Sequence, residues 1–218
     1  MEKAYKNTGS FMLILISLAI LGFYKTYFIH FPYLNEGSTA LSNISITNFH
    51  HIHVAFASLW ILFLISQPLL IRKGKFKIHK TIGKISYFIF PLLILSFIPL
   101  ILNIFHAGYP INAFLPISGG TLLILFYSLA VYNRKNTPKH MRYMIGTATV
   151  FLGPTIGRIG PEIFGLQPNT TQHIQYAIIY SILFGLIYLD RKYDKNFRPY
   201  IVILIGWIIH QILYSILF

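Results

Sequence analysis

The sequence has no cysteine and only five acidic residues. Without cysteine, disulfides, thiolate metal sites, iron–sulfur clusters and a cysteine nucleophile are all excluded. The five acidic residues stand against 18 lysines and arginines, so the formal net charge at pH 7 is +13. In a soluble protein this charge would favour nucleic-acid binding. Here the basic residues lie in short loops between apolar runs, which is typical of membrane topology signals, so we do not expect nucleic acid as a partner.

Charged residues of any kind are few: they make up 11% of the chain, while hydrophobic residues make up 55%. Such a chain is too apolar for a soluble domain. It contains seven apolar runs, each close to the ~20 residues that a membrane-spanning helix needs. The runs cover residues 11–31, 49–71, 85–105, 113–132, 141–160, 173–189 and 200–218. We therefore predict an all-α polytopic membrane protein with seven transmembrane helices in one domain, residues 1–218, whose surroundings are the lipid bilayer.

The basic residues also predict the orientation in the membrane. They gather between runs two and three, four and five, and six and seven: Arg72, Lys73, Lys75, Lys77, Lys80, Lys84, Arg134, Lys135, Lys139, Arg142, Arg191, Lys192, Lys195 and Arg198. The positive-inside rule places these loops and the amino terminus in the cytoplasm and the carboxyl terminus outside. No small-residue cleavage site follows the first run, so we expect it to remain as an anchor. These features predict a multi-pass protein of the inner (cytoplasmic) membrane.

The fifth run carries an arginine deep in an apolar segment. As a helix from Arg142 to Arg158 it would rise roughly 24 Å, which places Arg158 in the outer part of a hydrocarbon core about 30 Å thick. Glu162 follows on the same helical side, four residues later. Gly153 and Gly157 form a GxxxG pair that favours close helix packing. We therefore predict that this helix is central and that Arg158 and Glu162 line a ligand site or pair with each other.

A polar stripe runs along the second span. His53, Trp60 and Gln67 recur every seven residues and so share one helical face. Hydrocarbon cannot satisfy the amide of Gln67, which indicates a face packed against other helices. The amide either ties helices together or contacts a ligand. We take Trp60 and Gln67 as candidate ligand-binding residues together with Arg158 and Glu162.

Four histidines are candidate metal ligands. His53, His106 and His173 are expected near the outer interface, and His210 lies roughly 18 Å above Arg198, beyond the membrane midplane. Imidazole binds haem iron, zinc and copper, and ionisable residues at membrane depth are typical of functional sites. The sequence predicts a polar site in the outer half of the bundle that binds haem b or a divalent metal, zinc or copper, with a redox role.

Two short motifs carry a resemblance to a known group of proteins. They are His79-Lys-Thr-Ile-Gly83 and His140-Met-Arg142-Tyr-Met144. Together with the stripe of the second span and the fifth run, over residues 50–158, they resemble a bacterial family of uncharacterised multi-span membrane proteins with H-x-x-x-G and H-x-R-x-M elements. The family implies a multi-span fold and no assigned activity.

The histidine positions also have a weaker similarity to cytochrome b561-type haem proteins, whose spans carry histidines near both membrane surfaces. That resemblance implies haem ligation, with which His53, His79 and His140 are compatible. It supplies no full set of ligand pairs for this chain.

Several functions remain open, including whether the protein is an enzyme. A haem or metal protein would use the histidines above. A zinc-dependent intramembrane hydrolase would add Glu162 as the base that activates water, although the H-E-x-x-H spacing is missing. A transporter or binding protein for an anion, a quinone or another small molecule would use Arg158. A purely structural protein would need only an Arg–Glu pair and interfacial histidines.

Overall fold

The computed structural model describes residues 5–30 and 47–218, and within these ranges the chain is helical and contains no strand. The α-helices are α1 Thr8–Phe23, α2 Asn48–Arg72, α3 Phe76–Leu95, α4 Phe97–His106, α5 Phe114–Tyr132, α6 Thr137–Phe164, α7 Pro168–Lys192 and α8 Arg198–Leu217. Short 3-10 turns cover Phe28–His30 and Pro110–Ala113. The predicted all-α fold is confirmed for the described residues.

The helix starts follow local sequence signals. Helices α6, α7 and α8 each carry a proline in their first two positions, where the missing N–H costs no hydrogen bond. Helix α2 begins with a capping box, in which the Thr47 N–H donates to His50 Nδ1 at 3.0 Å. At the other end of α6, Gly165 takes the left-handed conformation at φ 63° and terminates the helix.

The third apolar run is divided into two helices. Helix α3 ends at Leu95, and α4 begins at Phe97. Pro99 lacks the N–H that would bond to the carbonyl of Leu95, so the regular ladder cannot continue through this point. Ser96 forms the break and lies buried, while Pro91 sits inside α3 without ending it.

Five segments of the described chain are long and apolar enough to cross a membrane. They are Asn48–Arg72, Phe76–His106, Pro110–Tyr132, Pro168–Lys192 and Arg198–Leu217. Helix α1 is apolar but has only 16 residues, and the 28-residue α6 carries more polar side chains. Large apolar residues such as Phe88 and Ile216 are exposed on these helices, as is expected for surfaces in contact with lipid.

The chain divides into two compact units, which we call the amino-terminal unit, Lys3–Ile117, and the carboxyl-terminal unit, Ser118–Phe218. In the amino-terminal unit, α2 packs between α1 and α3. Gly9 of α1 lies so close to α2 that an added Cβ would be 2.7 Å from the Leu69 side chain. The fully buried Trp60 packs against Phe90 with ring centroids 5.0 Å apart.

In the carboxyl-terminal unit, α6 is the most buried helix and packs against α7 and α8. Three glycines at seven-residue spacing allow this approach. Gly146 faces Ile203, Gly153 faces Gln175, and Gly160 faces Thr171. No described atom lies within 4 Å of a Cβ built on Gly157. The close contacts thus occur at glycines seven residues apart, and of the predicted GxxxG pair Gly153 takes part whereas Gly157 does not.

Candidate functional site

A buried histidine lies at the centre of the carboxyl-terminal unit. His210 on α8 is 5% exposed. Its Nδ1 lies 2.8 Å from the Tyr176 hydroxyl on α7, and its Nε2 lies 2.9 Å from the Ser118 hydroxyl on α5. A neutral imidazole has one donor nitrogen and one acceptor nitrogen, so both are engaged. The three side chains form a continuous hydrogen-bonded row across three helices.

Aromatic rings surround this row. The Tyr176 ring has its centroid 6.4 Å from that of Trp207 and 6.1 Å from that of Tyr214. Trp207 lies 5.2 Å from the His210 ring, and His173 contacts Tyr214 edge-on at 6.1 Å. Aromatic rings in such edge-to-face and tilted contacts stabilise one another beyond the burial of their area.

Hydrogen bonds between side chains fix this aromatic group to the neighbouring helices. The Tyr180 hydroxyl donates to Gln211 Oε1 at 2.6 Å. The Trp207 indole N–H donates to Thr149 Oγ1 at 2.9 Å, and that hydroxyl in turn donates to the Gly146 carbonyl. Helices α6, α7 and α8 are thereby tied together beside His210 by polar contacts, which are strong in an apolar environment.

Two glutamines on α7 contribute buried amides next to this group. Gln172 is 5% exposed and adjoins the Tyr176 hydroxyl, and Gln175 is 2% exposed and lies against Gly153. Gln175 Oε1 is buried without a hydrogen-bond partner among the described residues, whereas the Gln172 amide interacts with the Tyr176 hydroxyl. An unsatisfied buried polar atom costs about 1–3 kcal/mol. The region therefore offers one acceptor that the described residues leave unsatisfied.

An ion pair lies at the opposite end of the same unit. Arg142 and Asp190 both have fully buried side chains and form two parallel bonds of 2.7 Å, from Nε to Oδ2 and from Nη2 to Oδ1. Arg142 Nη1 donates to the Pro138 carbonyl at 3.0 Å, and its guanidinium lies 5.9 Å from the Tyr200 ring centre. The pair joins α6 to α7 in the bidentate geometry that arginine favours.

Sequence reasoning missed this pair because it counted Arg142 with the basic loop residues. One signal could have revealed it: Asp190 is one of only five acidic residues and directly follows an apolar run. The histidine of the same H-x-R-x-M element, His140, is also structural, since its Nδ1 donates to the Ala130 carbonyl at 2.8 Å. Two residues of this motif thus hold helix ends in place.

In the amino-terminal unit, His53 contacts the break between α3 and α4. Its Nδ1 lies 2.8 Å from the Ser96 hydroxyl, and its ring contacts Phe97 edge-on at 4.4 Å. Ser96 already donates its only hydroxyl proton to the Leu93 carbonyl at 2.6 Å. The His53 Nδ1 must therefore be the donor, and Nε2 carries the lone pair of the neutral ring.

The other predicted site residues are dispersed. Arg158 is half-buried, donates from Nη1 to the Pro154 carbonyl at 2.9 Å and lies within electrostatic range of Glu162. His106 is exposed at the end of α4, and His173 is exposed near the start of α7. In α2, Trp60 is a core residue, and Gln67 Nε2 is buried without a hydrogen-bond partner in the described part of the chain.

The predicted residues do not all belong to one unit. His53, Trp60, Gln67 and His106 lie in the amino-terminal unit, whereas Arg158, Glu162, His173 and His210 lie in the carboxyl-terminal unit. Within residues 5–30 and 47–218, no three histidine, aspartate or glutamate side chains are grouped so that they could hold a metal ion. Comparisons with protein-family models, with curated proteins and with solved structures gave no match for this chain.

Proposed function

We propose that the protein is a membrane-embedded binding protein for a small planar molecule with carbonyl or hydroxyl groups, of the quinone class, held in the carboxyl-terminal unit. The observation that carries this proposal is the pair of buried glutamines beside the His210–Tyr176 hydrogen bond. Gln175 presents an unsatisfied acceptor, and the Gln172 amide lies beside the Tyr176 hydroxyl. A quinone carbonyl accepts a hydrogen bond, and the hydroxyl of the reduced form both donates and accepts.

The chemistry of the surrounding side chains supports this ligand class. Small-molecule sites are mostly apolar and aromatic, with a few placed polar groups that set the orientation. Tyr176, Trp207 and Tyr214 supply the rings, and the buried amides of Gln172 and Gln175 supply the polar groups. A lipophilic molecule could reach these helices from the bilayer.

The geometry of His210 favours this ligand over haem or metal at the same histidine. Both ring nitrogens of His210 already face a hydroxyl, at 2.8 and 2.9 Å. Ligation of iron or zinc would require breaking one of these bonds. A quinone would instead extend the existing hydrogen-bonded row.

Haem or metal binding is a second candidate, at His53. Metal-bound histidines usually donate their other ring N–H to a neighbouring acceptor, which fixes the ring and the tautomer. The bond from His53 Nδ1 to Ser96 supplies such an acceptor and puts the lone pair on Nε2. A Soret band or a stoichiometric metal that disappears in His53→Ala, and not in His106→Ala, would support this candidate.

The proposal includes the full membrane topology. Seven spans, formed by α1, α2, α3 with α4, α5, α6, α7 and α8, would place the three basic loops in the cytoplasm and the carboxyl terminus outside. Helix α6 carries too many polar residues to face lipid, but its buried position among α5, α7 and α8 suits an internal span. On this topology, His210 lies in the outer half of an inner-membrane protein.

Intrinsic fluorescence provides a direct binding assay, because the chain has only two tryptophans. Trp207 lies next to His210, whereas Trp60 lies in the other unit. Titrating the detergent-purified protein with a short-chain benzoquinone should give saturable quenching, corrected for absorbance. Trp207→Phe should lose the saturable part, and Trp60→Phe should keep it. Quenching that never saturates, or that survives in Trp207→Phe, would contradict the proposal.

A further inference from the structure

The end of α2, the turn that follows it and the first residues of α3 form a concentrated basic surface. From Arg72 to Lys84 the chain carries six lysines and arginines and no acidic residue: Arg72, Lys73, Lys75, Lys77, Lys80 and Lys84. All six side chains are exposed. No aspartate or glutamate occurs anywhere from residue 37 to residue 161. The positive charge of this segment is therefore not neutralised by acidic residues near it in the sequence.

Apolar side chains stand among these lysines. Phe76 is 57% exposed and lies between Lys75 and Lys77, and Ile78 is 48% exposed and lies between Lys77 and His79. The segment directly joins the ends of two apolar helices that are long enough to cross a membrane, so it lies at the membrane surface. Exposed apolar residues among lysines at this level are typical of interfacial segments whose charges contact lipid phosphate.

The backbone adds to the positive potential. Gly74 adopts φ 70°, which lets the chain turn within three residues between α2 and α3. Helix α3 then starts without a side-chain cap at Lys75 and without an acidic residue in its first turn. The first-turn N–H groups carry the positive end of the helix dipole and thus reinforce attraction for an anion.

The basic residues of the carboxyl-terminal unit differ, because some of them have acidic partners or neighbours, whereas Arg72 of the other segment donates to the neutral Asn7 Oδ1 at 3.2 Å. Arg142 is paired with Asp190. Arg191 lies over the Phe197 ring at 4.6 Å, and Asp194 precedes Lys195 in sequence. A topology signal alone requires only net positive charge in a loop. The segment from Arg72 to Lys84 thus combines six exposed basic residues with exposed Phe76 and Ile78 and contains no acidic residue.

We propose that residues 72–84 form a binding site for anionic phospholipid headgroups, with the lysines contacting the phosphate and Phe76 and Ile78 packing within the headgroup layer. Each lysine near an anionic membrane surface contributes about 1 kcal/mol, or roughly fivefold in affinity. The site selects lipid by charge. It is separate from the proposed ligand site at His210.

Native mass spectrometry of the full-length protein in detergent tests this proposal, with phosphatidylglycerol and phosphatidylcholine of the same acyl chains as probes. The wild type should retain phosphatidylglycerol preferentially. The variant Lys75→Gln/Lys77→Gln/Lys80→Gln should lose that preference by roughly tenfold or more. The matched variant Lys135→Gln/Lys192→Gln/Lys195→Gln removes the same charge from exposed positions of the other unit and should keep it.

Two further measurements distinguish binding of a lipid from binding of a free anion, and a defined site from a general effect of positive charge. Phe76→Ser/Ile78→Ser, which leaves the charge unchanged, should also weaken phosphatidylglycerol retention. Excess inorganic phosphate should not displace the lipid. Equal retention of both lipids by the wild type, equal losses in the two triple-lysine variants, an unaffected Phe76→Ser/Ile78→Ser variant, or displacement by phosphate would each overturn the proposal.

Discussion

Replacing Asp190 by asparagine should destabilise the carboxyl-terminal unit strongly. The substitution keeps the side-chain volume but leaves Arg142, whose side chain is fully buried, without its counter-ion. Two bonds of 2.7 Å from the guanidinium would lose their charged acceptor. Removing one partner of a buried ion pair costs about 3–5 kcal/mol, because the remaining charge is left uncompensated. For a chain of this size, that corresponds to a fall in Tm of roughly 6–20 °C.

Differential scanning fluorimetry of the detergent-purified protein measures this change, with tryptophan emission as the signal. Asp194→Asn is the matched control, because Asp194 is exposed and its backbone, at φ 52°, is one that asparagine tolerates. Its Tm should stay close to that of the wild type. Arg142→Lys should give an intermediate loss, since lysine keeps the charge but not the two-pronged geometry.

The double variant Arg142→Met/Asp190→Leu separates the cost of a broken pair from the contribution of the pair itself. Apolar replacements for both partners are often neutral or stabilising, so the double variant should be more stable than Asp190→Asn alone. The reasoning would be refuted by an Asp190→Asn Tm close to that of the wild type, or by a double variant whose loss equals the sum of the losses in Arg142→Met and Asp190→Leu.

Two other predictions follow from the fold. Reporter fusions at residue 78 and at the carboxyl terminus should report opposite sides of the membrane, and the same side for both would contradict the seven-span topology. Gly160→Ala should destabilise the protein by about 1–3 kcal/mol, because its methyl group would collide with Thr171. Gly157→Ala should be neutral or stabilising, since no described atom lies within 4 Å of the added Cβ and alanine favours helix. Equal Tm values for the two glycine variants would be incompatible with this packing.

The helices could be predicted from the sequence because hydrophobic run length is a local property. Each of the seven apolar runs forms helix in the described part of the chain. The prolines alone do not predict the division of the third run at Ser96, since Pro91 lies inside α3 without ending it, whereas α3 ends before Pro99. A proline frees a carbonyl wherever it occurs, and the neighbouring packing decides whether the helix ends there.

The candidate site could be predicted only in part. Depth in the membrane singled out His210, and that residue is indeed buried. Its partners Tyr176 and Ser118 lie on other helices, and sequence spacing within one helix carries no information about such contacts. Gln172 and Gln175 were missed because they lie close to the start of α7, in a segment that reads as a polar loop and the first turn of a span.

The Arg142–Asp190 ion pair also could not be predicted from the sequence. Arg142 lies in a cluster of basic residues, and charge counting treats all members of such a cluster alike. Its burial depends on Asp190, which is 48 residues away in the sequence. Contacts between residues so far apart depend on how the helices pack.

The substitution Gln175→Met most directly tests whether the buried glutamines bind a ligand. Methionine has a similar length and no amide, so it removes a buried acceptor that has no hydrogen-bond partner among the described residues. We predict that the Tm of the unliganded protein stays the same or rises, because an unsatisfied polar atom is removed. The Kd for a short-chain benzoquinol, read from Trp207 quenching, should rise by roughly threefold to tenfold, as expected for one lost hydrogen bond. A lower Tm with an unchanged Kd would show that Gln175 is structural and would contradict the proposed site.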